Sequence, residues 1–245
     1  MKKLITFCLV IAIPITVFAE LKRVVVEKYP NLSKGDVTLP GQPKVVTYVD
    51  STGKELAREL YDENGNITKI TGKIPNGIVK EYFGSGNLLA EYNYKDSKLD
   101  GLSKGYYENG VFRGEWNYKG GKLEGTVKMY YESGVLNYDV IYKDNELNGV
   151  GKFYNEKGKL YYEPTFVDGE RYGIAKEYYE DGRIKSEVEY INGKKNGIRR
   201  EYYPNGKVKY EETYRDDQKV SKKEYDQEGK LTGERDYSPK QKEAK

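Results

Sequence analysis

The sequence contains no histidine, and its single cysteine is Cys8, close to the start. The missing imidazole removes the commonest general base and metal ligand. Without cysteine past residue 8, the rest of the chain has no thiol nucleophile, no zinc–thiolate site and no disulfide. Apolar residues are also scarce: they make up 37% of 245 residues, and mean hydropathy is −0.87. A thick hydrophobic core is therefore not expected. No phosphate-binding loop is present, since Gly84 and Gly86 supply only half of a glycine-rich pattern and no Lys-Ser/Thr follows. What is abundant is tyrosine, with 26 copies against one tryptophan and six phenylalanines. Tyrosine buries a ring while keeping its hydroxyl wet, so it can supply apolar surface to a thin fold.

The one long apolar run is at the N-terminus. Lys2 and Lys3 precede Leu4 to Phe18, and Val17 and Ala19 place short side chains before a cleavage point. This reads as a secretory signal peptide over 1–19, with export to the periplasm, cell envelope or medium. The alternative is an uncleaved anchor, the one route to a membrane, but fifteen residues interrupted by Pro14 are short for a span. Loss of Lys2 and Lys3 leaves 40 basic against 39 acidic residues. A near-neutral, finely mixed surface excludes nucleic acid as an electrostatic partner.

Beyond residue 47 the chain repeats. Glycines recur every 24 residues at Gly77, Gly101, Gly125, Gly149, Gly173 and Gly197. We call these offset 0 of units 1 to 6. Offset 9 is glycine in every unit, from Gly86 to Gly206. Offset 11 is apolar (Leu88, Phe112, Leu136, Leu160, Ile184, Val208) and offset 17 aromatic (Tyr94, Tyr118, Tyr142, Phe166, Tyr190, Tyr214). A shorter seventh unit runs from Val220 to Tyr237, and Tyr48 with Gly53 and Tyr61 with Gly65 mark degenerate hairpins upstream. Turn dipeptides end at offset 9 and fill offsets 19 and 20, matching type I′ reversals about every 12 residues. The fold expected is all-β: an elongated, twisted antiparallel meander of about 14–17 strands. The leader occupies 20–47 with a strand near Val24–Val26, the repeats 48–237, and a disordered tail 238–245.

A two-residue turn at offset 9 fixes the register. It pairs offset 3 with offset 14: Lys80 with Glu91, Lys104 with Glu115, Lys128 with Asp139, Lys152 with Glu163, Lys176 with Glu187, and Arg200 with Glu211. All six are opposite charges, although charge played no part in choosing the register. The same register lays an aromatic over each leading glycine, for instance Tyr118 over Gly101. Alternation puts offsets 6, 11, 15 and 17 on one face, expected to be the buried or concave side. The ion pairs and the offset-5 tyrosines take the other. The candidate binding residues on the first face are Tyr107, Phe112, Trp116, Tyr118, Tyr131, Tyr142, Tyr179, Tyr190 and Tyr203. Pro164 falls in mid-strand and predicts a bulge or break.

The unit from Gly101 through Lys104, Tyr106-Tyr107, Asn109-Gly110, Glu115 and Tyr118 to Gly125, with its five copies, resembles the bacterial variant of MORN repeats, over residues 56 to 237. The resemblance implies a modular β-hairpin scaffold in proteins that are membrane-associated, antitoxin-like or interaction modules. An acid repeated in every unit is scaffold rather than active site, so no enzyme, cofactor or metal is expected. The function expected is an exported, non-catalytic scaffold with a protein partner. The alternatives are a glycan- or peptidoglycan-associated protein, probed by Trp116 and Tyr118, and an immunity or antitoxin-like protein against an exported toxin.

Overall fold

A computed structural model describes residues 21–27, 44–62 and 67–238. The expected signal peptide, the proline-containing stretch of the leader, Gly65, and the tail after Ser238 lie outside the described residues. Among the described residues, every regular element is a strand. The 24 strands exceed the expected 14–17 because the return arm of several units is cut in two at its leading glycine, as in Lys98–Leu99 followed by Gly101–Tyr106.

The two turns of each unit solve the reversal differently. At offsets 19 and 20 both residues are left-handed, as at Asp96 and Ser97 (φ 50° and 60°) or Asp144 and Asn145 (53° and 75°). These are the expected two-residue type I′ turns, which match strand twist. The turn ending at offset 9 is not of that type. Only its glycine has positive φ (Gly110, 83°). In unit 2 the Tyr107 N–H donates to the Val111 carbonyl at 2.8 Å, and the Gly110 N–H to the Tyr107 carbonyl at 2.9 Å. That is a three-residue loop, a type I turn closed by a left-handed glycine. A bulge then absorbs the extra residue: Gly105 opposes Gly114, but Tyr106 opposes Phe112. Beyond the bulge the register returns to the expected one, with Lys104 opposite Glu115 and Gly101 opposite Tyr118.

The bulge has a cost to the expected two-face assignment. Offset 12 becomes the unpaired residue, so offset 11 turns to the opposite side from offsets 13, 15 and 17. Phe112 accordingly packs against Tyr106 (5.8 Å between ring centroids) and Tyr130 (5.3 Å), on the ion-pair side. Placing Phe112 with Trp116 and Tyr118 was incorrect, because simple alternation cannot register a bulge.

The leading glycine also has a different explanation from the one expected. An added Cβ at Gly77 or Gly173 would meet nothing within 4 Å, so covering by a ring is not what requires glycine. The requirement is φ, 115° at Gly77 and 98° at Gly101, a region L side chains avoid. This kink lengthens the return arm. Tyr118 opposes Leu123, yet Glu115 opposes Lys128. Aromatic covering does occur elsewhere: Trp116 lies over Gly105, where an added Cβ would sit 2.6 Å from the ring.

With both bulges in place, the acids at offset 14 face a cation on either side, except Glu163, which faces one on a single side. Lys80, Glu91, Lys104, Glu115, Lys128, Asp139 and Lys152 pair in sequence across the sheet. The alternation resumes through Glu163, Lys176, Glu187, Arg200, Glu211, Lys223 and Glu234. Between the two runs, pairing ends at Phe153 opposite Tyr162, so Lys152 and Glu163 flank a gap. The cause is Pro164, which has no N–H to give a ladder. The strand stops at Glu163 and restarts at Thr165, and Gly149–Val150, Thr165–Val167 and Glu170–Arg171 form a small separate sheet. The break expected at Pro164 is therefore present.

One end of the array is closed by an N-terminal cap. Its strands are β1 (Leu21–Glu27), β2 (Lys44–Val49), β3 (Glu55–Tyr61) and β4 (Ile67–Gly72). They pair in order, and β1 then joins unit 1 by a parallel pairing with β5 (Gly77–Tyr82), whose hairpin partner is β6 (Leu88–Lys95). In a flat sheet β2 and β6 would lie roughly 14 Å apart. Yet the rings of Tyr48 and Tyr94 are 5.6 Å apart, edge to face. The sheet is thus folded over at the β1–β5 step, and Val46, Tyr48 and Ala57 close on Ile74, Val79 and Tyr94. A second cluster, Val127, Met129 and Val140 with Trp116, Leu123 and Leu147 around it, lies mid-array.

Candidate interaction surfaces

The buried side, here the inner face, carries offsets 2, 4, 13, 15 and 17. Of the expected binding residues, Trp116, Tyr118, Tyr142 and Tyr190 belong to it. Tyr190 is buried, and Trp116 and Tyr142 pack around the Val127 cluster. Burial pushes the Tyr118 and Tyr190 phenols up, with the Arg171 charge partly opposing this at Tyr190. These rings are structural contacts first.

The offset-6 tyrosines have a separate task. Tyr107 donates its hydroxyl to the Tyr130 carbonyl (2.6 Å), Tyr131 to Tyr154 (2.8 Å), Tyr179 to Tyr202 (2.6 Å), and Tyr203 to Tyr225 (2.9 Å). Each ties one unit to the next, which sequence spacing alone did not reveal. Tyr131→Phe should therefore lose about 1 kcal/mol of unfolding free energy, measurable by urea titration, while the hairpin of its own unit stays intact.

The charged ladder occupies the outer face. Arg200 and Glu211 close to 3.0 Å. Other acids take a tyrosine hydroxyl from the next unit: Tyr106 on Glu91 (3.3 Å), Tyr178 on Glu163 (3.3 Å) and Tyr202 on Glu187 (2.8 Å). Burial, then the bond to Glu187, pushes the Tyr202 phenol up to about 12. Such exposed pairs contribute only tenths of a kcal/mol each, but a one-residue slip would lose them all.

Between these charges the outer face exposes a row of aliphatic side chains, Ile78, Leu102, Ile141, Val150, Ile174 and Ile198, each 39–56% exposed, with Val167 and Ile191 added at offset 18 of units 4 and 5. Five of the row stand at offset 1. In unit 3 that position is Thr126, and its cross-strand partner Ile141 supplies the missing group. The result is a stripe with a step of two strand spacings, about 10 Å. Sequence reasoning missed it, although offset 1 is aliphatic in five of six units and was legible once the 24-residue period was aligned.

Six consecutive matches to the model described as "MORN repeat variant" fall at 75–96, 99–119, 123–144, 147–168, 171–192 and 195–216, more than half of the chain. The chain belongs to the MORN repeat variant family. Family members carry a generally non-catalytic repeat module for protein or membrane interaction, and each matched segment here spans one hairpin with its three-residue loop and stops at or just before the type I′ turn. No curated protein matches the chain. Among solved structures, it is similar at 13% identity and a TM-score of 0.29 to a point mutant of TarM from S. aureus in complex with Fondaparinux, alpha-GlcNAc-glycerol and UDP. That match spans 39% of this chain and 19% of TarM, a likeness that carries no argument about fold or function.

Proposed function

We propose that this MORN-variant protein is an exported, non-catalytic scaffold that docks a protein partner along the aliphatic stripe of its outer face, at the cell envelope or outside the cell. The stripe carries the reading. Scattered exposed aliphatics need no explanation, but at least one per unit in register along the array is a repeated contact row. Alternating charges flank it, so a partner reads a fixed spacing of apolar knobs and ionic pairs. The near-neutral balance gives no attraction toward anionic lipid, which favours protein over a membrane surface. Export rests on the N-terminal segment, and a mature chain beginning at Glu20 in the exported fraction is the expected result of N-terminal mass analysis.

The docking test uses a photo-crosslinking residue at position 174 in growing cells, with position 185 on the inner face as control. A discrete protein adduct is expected from position 174. Ile198→Lys in the same chain should reduce it about tenfold or more. Exposed substitutions of this kind shift stability by less than about 0.5 kcal/mol, so an unchanged melting curve accompanies the loss. An equal adduct from position 185, or insensitivity to Ile198→Lys, sinks the reading.

A further inference from the structure

The inner face changes character along the array. At offset 22, units 1 to 3 place Leu99, Leu123 and Leu147, and each opposes the aromatic at offset 17. Units 4 to 6 place a cation there, Arg171 opposite Phe166, Lys195 opposite Tyr190 and Lys219 opposite Tyr214, and arginine stands only in unit 4. Unit 4 also carries the Pro164 break and has Asn155 where units 2, 3, 5 and 6 have the stapling tyrosine. A residue present in every unit is scaffold; a unit that departs at several positions in one place is where a specific site can stand.

A cleft of about 440 Å³ opens at this point, lined among others by Tyr161, Tyr162, Arg171, Glu177, Lys185 and Tyr190. Its volume lies in the range of small-ligand sites, roughly 300–1,000 Å³. The bulge in unit 4, where Phe153 opposes Tyr162 and Tyr154 opposes Leu160, leaves Tyr161 as the extra residue, and it lines the cleft beside Tyr162.

We propose that this cleft binds an acidic saccharide, a pyranose carrying one carboxylate. Arg171 sits 4.1 Å from the centroid of the Tyr190 ring and donates to its hydroxyl at 2.8 Å, so the guanidinium is fixed in place. Among the described residues it forms no ion pair with an acid, and a planar fork held this way matches a carboxylate bidentately. Lys185 and Glu177 lie 3.9 Å apart and largely offset each other. The lining therefore carries one net positive charge, which suits a monoanion better than a phosphate dianion beside Glu177. The tyrosine rings offer faces for the C–H side of a sugar, and their hydroxyls offer partners for its ring hydroxyls. The cleft is on the opposite side of the sheet from the aliphatic stripe, so stripe variants leave it intact.

The test titrates the full mature chain with D-glucuronate, with the neutral methyl glucoside, with a galacturonate trimer and with inorganic phosphate, following chemical shifts of tyrosine and arginine side chains. Glucuronate or the trimer should bind at least about tenfold more tightly than the neutral sugar and than phosphate. A preference for the trimer assigns a polymer as the source, and equal affinity a free sugar acid. Arg171→Leu, which restores the residue of units 1 to 3, should keep the melting temperature and lose that preference. If it melts early, the exposed Tyr161→Ala is used instead and should weaken acidic and neutral sugars alike by removing a ring face. Equal affinity for acidic and neutral sugars, phosphate binding as well as glucuronate, no binding by any probe, or full binding by the variants overturns the proposal.

Discussion

Replacing Tyr48 by alanine is expected to detach the N-terminal cap while leaving the far end of the array folded. Tyr48 is 1% exposed, and its hydroxyl bonds to Glu59 (2.8 Å) and Tyr94 (2.9 Å). Its ring also meets Tyr94 edge to face, across the fold between β1 and β5. Truncation of a buried aromatic costs about 3–5 kcal/mol. Repeat arrays transmit such losses mainly to neighbours. Amide exchange should accelerate at Val46, Ala57 and Val79 but stay slow at Ile198 to Tyr214. Tyr48→Phe keeps the ring and should lose about 1–2 kcal/mol. Uniform loss of protection along the whole chain would contradict a cap that acts locally.

The second large effect is expected in unit 6, where the inner face is held by charges. Offsets 2, 15 and 22 are Val127, Val140 and Leu147 in unit 3, but Arg199, Glu212 and Lys219 in unit 6. Glu212 is 5% exposed and accepts from Lys219 (2.6 Å), Arg199 (3.0 Å) and Tyr214 (3.1 Å). Burial pushes its carboxyl up, but the bonds from Lys219, Arg199 and Tyr214 outweigh burial and hold it below the usual range. Removing the acid alone, Glu212→Val, leaves two half-buried cations without it and should cost about 3 kcal/mol. Replacing all three by the residues of unit 3 (Arg199→Val, Glu212→Val and Lys219→Leu together) should restore the parent stability or exceed it. Glu201 keeps Lys209 at 3.3 Å in that variant. Denaturant midpoints of the single and triple variants check this, and a triple variant weaker than the single one would refute it.

The same carboxylate sets the acid response. Its folded pKa lies below the unfolded value, so its contribution is fully present above about pH 4.5 and is lost as pH falls through the depressed folded value. Protection of units 6 and 7 should therefore fall in acid before that of the apolar Val127 cluster. In the triple variant this difference disappears.

Much of this was legible without coordinates. The 24-residue spacing, the left-handed-tolerant pairs at offsets 19 and 20, and Pro164 determined an all-β meander, its type I′ turns and the place of its interruption. The turn dipeptides determined the hairpin register, and the opposite charges at offsets 3 and 14 supported it independently, because a one-residue slip loses all six pairs. These are local matters: turn chemistry and side-chain period act within one hairpin, so one unit's sequence contains them.

What required the tertiary structure was everything that passes between hairpins. A bulge costs one residue and leaves no composition signature, yet it moved Phe112 to the other face and brought Tyr161 beside Tyr162. The left-handed leading glycines lengthened each return arm, so the offset-14 acids each gained a cation from the next unit, a second one for all but Glu163. The offset-6 tyrosines read as surface aromatics until their hydroxyls met the following backbone. The fold of the cap onto β5 and β6 depends on contacts between residues 46 positions apart, Tyr48 and Tyr94. Period and turn type are properties of neighbours along the chain, whereas face, curvature and cleft depend on how bulges accumulate across many strands.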